Sequence, residues 1–466
     1  MSSATVKKNL TEGKILPQII SFALPLIATA VLQLLFNTAD MFVVGRWGGD
    51  TQAECEIALG AVGSCAPLIN LLVNLFMGLS VGAGVCVAHE IGAKHYSEVK
   101  SVVNTAVILS LIAGAIVTAV GIIFAPHLLM LMGVENSLLE PAVLYMRAYF
   151  FGIPAALLYN FCASMLRSAG DTSRPLIFLS VAGVVNVMLN LVMVLGFHTG
   201  AMGVGVATAA SNWVSCTMIV IFMMRTDGPC KLSLKGFGID RIKFKKIISI
   251  GLPAGLQSSL FSISNVIIQS AIQSFGTAAV VAGNTAASNI DGYIYVVINC
   301  FATSAMTFTG QHVGAGKYER LKKVLLWHAL LIVTSGIALG TLSYIFAEPL
   351  IGIFQPGNKA AAEVGLTRLG ILGLTYFTCG LMDMGCYSLR GFGKSLSPTI
   401  VSLTGSCLFR IVWIYAVFYP FFSNNIAMLY LSYPISWIVT GGIEIVLVIR
   451  EVMKRSKAAK EQITPI

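Results

Sequence analysis

The feature that most constrains this chain is a series of long apolar runs that carry almost no charge. The run "SVVNTAVILSLIAGAIVTAVGIIFA" (101–125) holds no ionisable side chain, and an α-helix needs about 20 apolar residues to cross the hydrocarbon core of a bilayer. In the whole chain only 11% of the residues are charged and 56% are hydrophobic, whereas soluble domains carry about 25% charged residues. The sequence therefore predicts an all-α polytopic membrane protein.

Twelve transmembrane helices are predicted when the apolar runs are read between polar breaks. Several runs are longer than a minimal span and contain Pro25, Pro67 or Pro253, so we expect kinked or tilted helices. The predicted spans are 15–45, 57–87, 101–125, 141–165, 175–197, 201–224, 247–274, 280–311, 324–347, 361–388, 397–421 and 427–449.

The distribution of Lys and Arg predicts the orientation of the spans. With the N-terminus inside, 25 of the 30 basic residues lie on the inner side, and only Arg46, Lys359 and Arg368 lie outside. Arg147 and Arg410 fall within spans. By the positive-inside rule, both termini are predicted to be cytoplasmic. Because the net charge of +10 is explained by topology, it gives no support for nucleic-acid binding.

Motifs for catalysis and nucleotide binding fail on their spacing. "HEIGAKH" (89–95) has Ala93 where a zinc protease needs its second His. "GVGVAT" (203–208) lacks the preceding strand and the third Gly of a dinucleotide site, and no phosphate-binding Walker pattern occurs. The ten cysteines form no CxxC pair and lie mostly in apolar runs, as free packing thiols do. We therefore expect no enzyme, no cofactor and no ATP-driven export by this chain.

The second half of the chain repeats the first. The segment "IISFALPLIATAVLQ" (19–33) matches "IISIGLPAGLQSSLF" (247–261) at an offset of 228. Three further pairs follow in the same order at offsets of 222 or 223: "HEIGAKHYSEVKSV" (89–102) with "QHVGAGKYERLKKV" (311–324), "IFAPHLLMLM" (123–132) with "IFAEPLIGIF" (345–354), and "LRSAGDTSRP" (166–175) with "LRGFGKSLSP" (389–398).

Six spans per repeat predict two six-helix lobes that enter the membrane in the same direction. The two pseudo-symmetric lobes are predicted at 1–224 (spans 1–6) and 247–466 (spans 7–12 and a cytoplasmic tail), joined by the basic cytoplasmic linker 225–246. The pairs Gly78/Gly82 and Gly336/Gly340 predict places where helices approach closely.

These repeats, together with "FNTADMFVVG" (36–45), make the chain resemble the multidrug and toxic compound extrusion (MATE) transporters over essentially its whole length. The resemblance implies a bacterial multidrug antiporter of the inner (plasma) membrane that is driven by H⁺ or Na⁺. We expect a monomer that works on small amphipathic organic substrates in the lipid bilayer, without a cofactor or a nucleic-acid partner.

Asp40 is the only acid in the first six predicted spans. It precedes Arg46 by six residues, which places it roughly 9 Å below the outer surface at the rise of an α-helix. An isolated carboxylate at this depth is costly as an anion, so it is expected to take a proton or to bind a metal cation. The alternative is that Asp40 only forms a hydrogen bond between helices.

Three neutral polar residues are predicted at a similar depth. Asn186 and Asn190 share one face of the fifth span, and Thr208 lies in the sixth. Their oxygens would suit Na⁺ or a protonated acid, although amides often simply join membrane helices. In the MATE transporters that the chain resembles, a first-span Asp, fifth-span Asn or Asp and a sixth-span Thr form a cation site. Some relatives have a second carboxylate where this chain has Asn, so the choice between H⁺ and Na⁺ stays open.

The second lobe departs from one pattern of the family, because Phe261 stands where some relatives carry a seventh-span Glu. Its predicted ionic residues are Asp291, Asp383 and Arg410. Asp291 and Arg410 lie at comparable depth, so we expect them to pair or to bridge through water. Asp383 is predicted to be either a second protonatable site or a structural partner. Arg147 is expected to reach outward to the membrane surface or to balance Asp40.

Eighteen Met and 25 Phe suit adaptable walls for bulky cations. We predict alternating access of the two lobes, with Pro25 as one hypothetical bending point of the first span. The predicted substrate-contacting residues are Gln33, Asn37, Tyr159, Met188, Gln257, Asn265 and Tyr293. A flippase for lipid-linked oligosaccharides is the alternative function, but it would need several Arg or Lys for a diphosphate.

Overall fold

The computed structural model describes residues 10–233 and 238–463, and these residues are almost entirely helical and form no strand. The helices of the first half are α1 (Ile15–Trp47), α2 (Gln52–Gly92), α3 (Tyr96–Leu131), α4 (Asn136–Phe151), α5 (Ile153–Ser168), α6 (Ser173–Leu191) and α7 (Gly200–Arg225). A π-helical turn, Val192–Gly196, extends α6.

The fourth span is a bent pair of helices. α4 and α5 meet at an angle of 44°, with Gly152 between them and Pro154 in the first turn of α5. Pro fits the first turn of a helix but disrupts the hydrogen bonding of a preceding turn. A side chain at Gly152 would place its Cβ 2.5 Å from the Cα of Ala209 in α7, so glycine lets the bend pack directly against that helix.

The helices of the second half are α8 (Arg241–Gln273), α9 (Ala278–Gly314), α10 (Tyr318–Ile345), α11 (Ala347–Phe354), α12 (Lys359–Arg368), α13 (Leu374–Gly391), α14 (Leu396–Ser402), α15 (Phe409–Trp413), α16 (Tyr419–Phe421) and α17 (Ile426–Ile463). π-helical turns join α12 to α13 (Leu369–Gly373), α14 to α15 (Leu403–Leu408) and α15 to α16 (Ile414–Phe418). The tenth and eleventh spans are therefore each assembled from shorter helices.

The prediction of twelve spans is confirmed. In the described part of the chain eleven helical segments are long and apolar enough to cross a membrane, and the bent pair α4–α5 supplies the twelfth. The expectation of free thiols also holds, since all ten cysteines are buried and unbridged. Each span lies where the apolar run predicted it, while most helices extend several residues further at their ends.

The chain forms two compact units, which we call unit 1 (residues 24–259) and unit 2 (residues 10–23 and 260–463). The division falls inside α1 and α8, so each of these helices begins in one unit and continues in the other. α1 is unbroken at Pro25, whose carbonyl accepts a hydrogen bond of 2.6 Å from the hydroxyl of Thr29. The predicted lobe boundary at 225–246 and the bending role of Pro25 stay predictions.

Small residues allow close helix packing within unit 1. A Cβ on Gly78 of α2 would lie 2.1 Å from the backbone nitrogen of Gly255 in α8, and one on Gly82 would lie 2.3 Å from the carbonyl oxygen of Ile247. Neither position has room for a side chain. The pair Gly78/Gly82 thus brings two backbones together, as the sequence predicted.

Candidate functional site

α1 carries Asp40 and packs closely on α6. The ring of Phe36, one turn before Asp40, fills the space in front of Gly183, where a Cβ would lie only 1.8 Å from a ring atom. Further along α1, a Cβ on Gly45 would lie 3.4 Å from the side chain of Leu59 in α2. The absence of a side chain at Gly183 therefore lets α1 approach α6 and brings Asp40 beside the polar residues of that helix.

The four residues predicted for the cation site lie together in unit 1. The side-chain amide of Asn190 donates a hydrogen bond to Oδ1 of Asp40 and lies 3.4 Å from Oδ1 of Asn186. The amide of Asn186 donates to the hydroxyl of Thr208 at 3.4 Å. That hydroxyl donates to the carbonyl of Val204 at 2.9 Å and lies close to Asp40. Three helices, α1, α6 and α7, thus contribute to one cluster, which we call the Asp40 cluster.

The Asp40 cluster is rich in oxygen atoms and poor in charge. Asn190 is fully buried and Asn186 is 5% exposed, while Asp40 and Thr208 are partly exposed. Among the described residues, Oδ1 of Asn190 is buried without a hydrogen-bond donor. No group of three His, Cys, Asp or Glu suited to a transition metal occurs in the described part of the chain. Carboxylate, amide and hydroxyl oxygens favour a hard monovalent cation or a proton.

Asp291 in α9 pairs with Arg368, so the predicted partner, Arg410, was wrong. Nε of Arg368 donates to Oδ2 of Asp291 at 2.8 Å, and Nη1 donates to Oδ1 of Asn284 at 2.8 Å. The hydroxyl of Tyr430 donates to the same amide oxygen at 3.1 Å. Arg368 is 6% exposed, and its place on the outer side of the membrane stays a prediction. Its long side chain reaches inward from the end of α12.

Arg410 lies in α15, where it contacts aromatic rings and a hydroxyl. Its Nε donates to the hydroxyl of Ser436 at 2.9 Å, and its guanidinium carbon lies 4.3 Å from the ring centre of Tyr433 and 5.7 Å from that of Trp437. Cation–π contacts of this kind stabilise a desolvated guanidinium. No carboxylate within the described ranges lies at ion-pair distance from it.

Asp383 in α13 accepts a hydrogen bond from the side-chain amide of Asn299 at 3.1 Å. The same amide lies 3.1 Å from the hydroxyl of Tyr295 and 3.5 Å from that of Tyr387, and Arg390 is the nearby positive charge. Asp383 therefore belongs to a network of neutral donors. The choice between a protonatable and a structural role for it stays open.

Glu444 in α17 is a buried carboxylate that the sequence analysis missed. It is fully buried, and its Oε1 accepts a hydrogen bond of 2.7 Å from the hydroxyl of Ser402. Its Oε2 has no hydrogen-bond partner among the described residues. The signal was present, because Glu444 is the only acid in the apolar run 427–449.

The predicted substrate-contacting residues separate into two groups by exposure. Tyr159 is 5% exposed and donates its hydroxyl to the carbonyl of Pro175 at 2.7 Å, and Gln257 is 9% exposed. Neither is open to a substrate in this structure. The side chains of five candidates are exposed: Gln33, Asn37, Met188, Asn265 and Tyr293. Arg147 is exposed as well, with its Nε 3.4 Å from the carbonyl of Ile122.

Twelve spans in two halves of repeated sequence, with ionisable residues at membrane depth, are typical of a membrane transporter. The MatE family matches residues 25–192 and 253–416. The chain therefore belongs to the MATE family of multidrug efflux transporters, and is a multi-pass membrane protein.

Relatives and solved structures agree with this assignment. The chain is 26% identical to the probable multidrug resistance protein YoeA of Bacillus subtilis strain 168, over 82% of each chain. It is 25% identical to the probable multidrug resistance protein NorM of Thermotoga maritima, over 83% of this chain and 82% of that one. A MOP superfamily transporter from Pyrococcus furiosus has the same fold, with a TM-score of 0.89 and 22% identity over 98% of this chain and 99% of that one.

Proposed function

We propose that this chain is a cation-coupled antiporter that exports small amphipathic, often cationic, organic molecules, and that Asp40 holds the coupling ion. The observation that carries the proposal is the Asp40 cluster itself. Asp40, the only acid in the six predicted spans of the first half, lies beside amide and hydroxyl groups from two other helices, and none of these groups is a cation. An acid without a fixed counter-charge can gain and lose a mobile one.

The donor set suits either H⁺ or Na⁺. A protonated Asp40 would donate its own hydrogen bond to an oxygen of Thr208 or of an amide after a rotation of that amide. A sodium ion would instead recruit oxygens from Asp40, Thr208 and the amides, and Oδ1 of Asn190 is an oxygen still without a donor in the described structure. Both ions would relieve the same electrostatic cost of a carboxylate at membrane depth.

Coupling requires that the cation and the substrate favour different states of the transporter. We propose that a cation arriving from outside neutralises Asp40, changes the hydrogen bonds between α1 and α6, and lowers the affinity for the exported molecule. The return step releases the cation inside. The exposed candidates Gln33, Asn37, Met188, Asn265 and Tyr293 are proposed to contact the substrate, and Pro25 to let α1 adjust.

We also propose that the protein is a monomer of the bacterial inner membrane with both termini in the cytoplasm. The excess of Lys and Arg on one side of the twelve predicted spans supports the orientation of the termini, and the resemblance to bacterial relatives supports the membrane.

The proposal is tested by ethidium efflux from proteoliposomes under an imposed pH or Na⁺ gradient. Wild type should follow one gradient, and Asp40→Asn, which keeps the shape but cannot bind H⁺ or Na⁺ as an anion, should lose the gradient-driven component. Asp50→Asn is the matched control, because the side chain of Asp50 is 82% exposed and lies just after α1. Normal gradient-driven efflux by Asp40→Asn would refute the proposed role of Asp40.

A flippase for lipid-linked oligosaccharides is separated from this function by the same preparation. Of the arginines in the spans of unit 2, Arg368 is already neutralised by Asp291, which leaves little charge for a diphosphate. Binding of a lipid diphosphate without any movement of ethidium would favour the flippase and contradict multidrug export.

A further inference from the structure

The two repeated loop sequences, 89–102 and 311–324, lie at corresponding places in the two halves. The first connects α2 to α3 and the second connects α9 to α10. Each of them contacts the start of a helix that is shared between the two units: α8 in unit 1 and α1 in unit 2. We call these two sets of contacts the α8 clamp and the α1 clamp.

In the α8 clamp, two acids of the loop hold a lysine at the start of the helix. Nζ of Lys243 lies 2.9 Å from Oε1 of Glu90 and 2.9 Å from Oε2 of Glu98. Asp240, just before α8, accepts a hydrogen bond of 3.0 Å from the hydroxyl of Ser101, and its backbone nitrogen donates to Thr105 at 3.0 Å.

Asp240 also caps α8, since its Oδ1 accepts the backbone N–H groups of Ile242 at 2.8 Å and Lys243 at 3.2 Å. The pKa of Asp240 is lowered by the hydrogen bond from the backbone of Lys243 and by the one from Ser101. Its carboxylate therefore stays ionised throughout the neutral range, and the cap persists there.

In the α1 clamp, a basic loop holds an acidic segment. Nζ of Lys317 lies 3.0 Å from Oε1 of Glu12 and 3.3 Å from the hydroxyl of Thr11. Nη2 of Arg320 donates to the carbonyl of Gly13 at 2.6 Å, and the backbone nitrogen of Leu10 donates to Oε1 of Gln311 at 3.3 Å.

Apolar packing reinforces the α1 clamp. Leu10 is 1% exposed and Thr11 is 4% exposed. Phe22, two turns into α1, contacts Phe308 edge to face with ring centres 5.6 Å apart. A segment that is buried and hydrogen-bonded to this extent does not leave its site easily.

The ion pairs of the two clamps have opposite polarity. Glu12 corresponds to Asp240 at the repeat offset of 228, and Glu98 corresponds to Arg320 at the offset of 222. The loop thus contributes the acids of the ion pair in unit 1 and the base in unit 2. Asp240 meets hydroxyl groups of its loop where Glu12 meets Lys317, so the two helix starts are held by different partners.

We propose that the charged residues of the two clamps are positioning residues for transport: they anchor the starts of α1 and α8 to their loops throughout the cycle. α1 carries Asp40, so the α1 clamp fixes the end of the helix from which the coupling group extends. The contacts of the two clamps persist while α1 and α8 change conformation beyond their first turns. The inference rests on the proposed function only in the cross-linking experiment, in which efflux is measured.

Amide hydrogen exchange of the full-length protein tests the anchoring without any transport. Lys243→Met keeps the apolar stem, and Lys243→Glu reverses the charge. Both should raise the exchange rate at the start of α8, by about tenfold or more for the reversal, the scale of charged hydrogen bonds that are lost. Lys245→Glu is the matched control, since Lys245 is exposed two residues away, and it should leave exchange unchanged.

In the α1 clamp, Lys317→Glu should expose the start of α1 in the same way. Combining it with Glu12→Lys should restore protection, because the exchanged pair recreates the attraction. Lys323→Glu is the control, since Lys323 is an exposed residue near the start of α10. Unchanged exchange in Lys317→Glu, or no recovery in the exchanged pair, would overturn the inference.

A cross-link distinguishes an anchor from a gate. Glu12→Cys with Lys317→Cys can be joined by a short thiol cross-linker, while the ten native cysteines are buried. Efflux should continue in the cross-linked protein. If the cross-link stops efflux and a reductant restores it, the clamp must open in the cycle and the anchoring role is wrong. Hydrogen exchange does not depend on Asp40 or on transport. If Asp40 does not couple transport, the exchange rates at the starts of α1 and α8 still test the clamps.

Discussion

The buried pair Asp291–Arg368 gives the sharpest stability prediction. Arg368→Met keeps most of the volume of the side chain and removes its charge and donors. The change removes the hydrogen bond to Oδ2 of Asp291 and the one to Asn284. No water can replace the lost hydrogen bond, because Asp291 has 0% solvent exposure. Its Oδ1 already lacks a donor among the described residues.

The expected loss in the free energy of unfolding depends on the state of the Asp291 carboxylate that Arg368→Met leaves without its partner. Breaking a buried ion pair by removing one partner costs about 3–5 kcal/mol. If Asp291 instead takes up a proton, the loss falls to about 1–3 kcal/mol, the cost of an unsatisfied buried polar group. Asn284 keeps the hydroxyl of Tyr430 as a donor, so it adds little. Removing both charges with Asp291→Asn and Arg368→Met should recover most of the loss.

The assay is thermal unfolding of the detergent-solubilised protein, followed by tryptophan fluorescence. Arg368→Met should melt well below wild type, the double variant should lie between them, and Arg147→Met should match wild type because Arg147 is exposed. Unfolding of membrane proteins is often irreversible, so all variants are compared at one heating rate. If Arg368→Met melts with wild type, or the double variant is the least stable, the reasoning from the buried pair is refuted.

Three further predictions follow from local packing. Gly183→Val should push the ring of Phe36 away from α6, cost about 1–3 kcal/mol by overpacking and reduce gradient-driven efflux; unchanged efflux and melting would contradict the proposed seating of α1. Thr51→Ala removes the capping box that Thr51 forms with Glu54 at the start of α2 and should cost about 1 kcal/mol, visible as a lower melting temperature, whereas an equal one would show that the cap is dispensable. The ten buried cysteines should resist a thiol reagent until the protein unfolds, and labelling of the native protein would show that it opens.

Much of the fold was predictable because length and hydrophobicity determine a membrane helix almost alone. The Asp40 cluster was predictable for a related reason. The rise of an α-helix is fixed, so counting from the ends of the spans placed Asp40, Asn190 and Thr208 at one depth. The packing of α1 on Gly183 was not visible, because it depends on the direction of a single ring.

The ionic contacts of unit 2 were less predictable. Depth alone suggested that Asp291 meets Arg410, but depth does not say which helices are neighbours. Arg368 lies near the end of a span and was counted with the charges outside the membrane. Its side chain is nevertheless buried in the protein, where it contacts Asp291 and Asn284. Glu444 is a different case, because the test that selected Asp40, a single acid in an apolar run, selects Glu444 equally well.

The contrast between the two units bears on where coupling occurs. The predicted spans of the second half contain four acids: Asp291, Glu363, Asp383 and Glu444. Glu363 is exposed, and Asp291 forms a direct ion pair with Arg368. Asp383 and Glu444 accept hydrogen bonds from the neutral side chains of Asn299 and Ser402 and form no ion pair within the described ranges. A site that exchanges a mobile cation cannot keep a permanent one, since a fixed guanidinium already supplies the charge that H⁺ or Na⁺ would bring. Asp291 is therefore the acid least suited to coupling. Asp40, whose neighbours are neutral amides and a hydroxyl, has no such ion pair, which supports the coupling role that we propose for it.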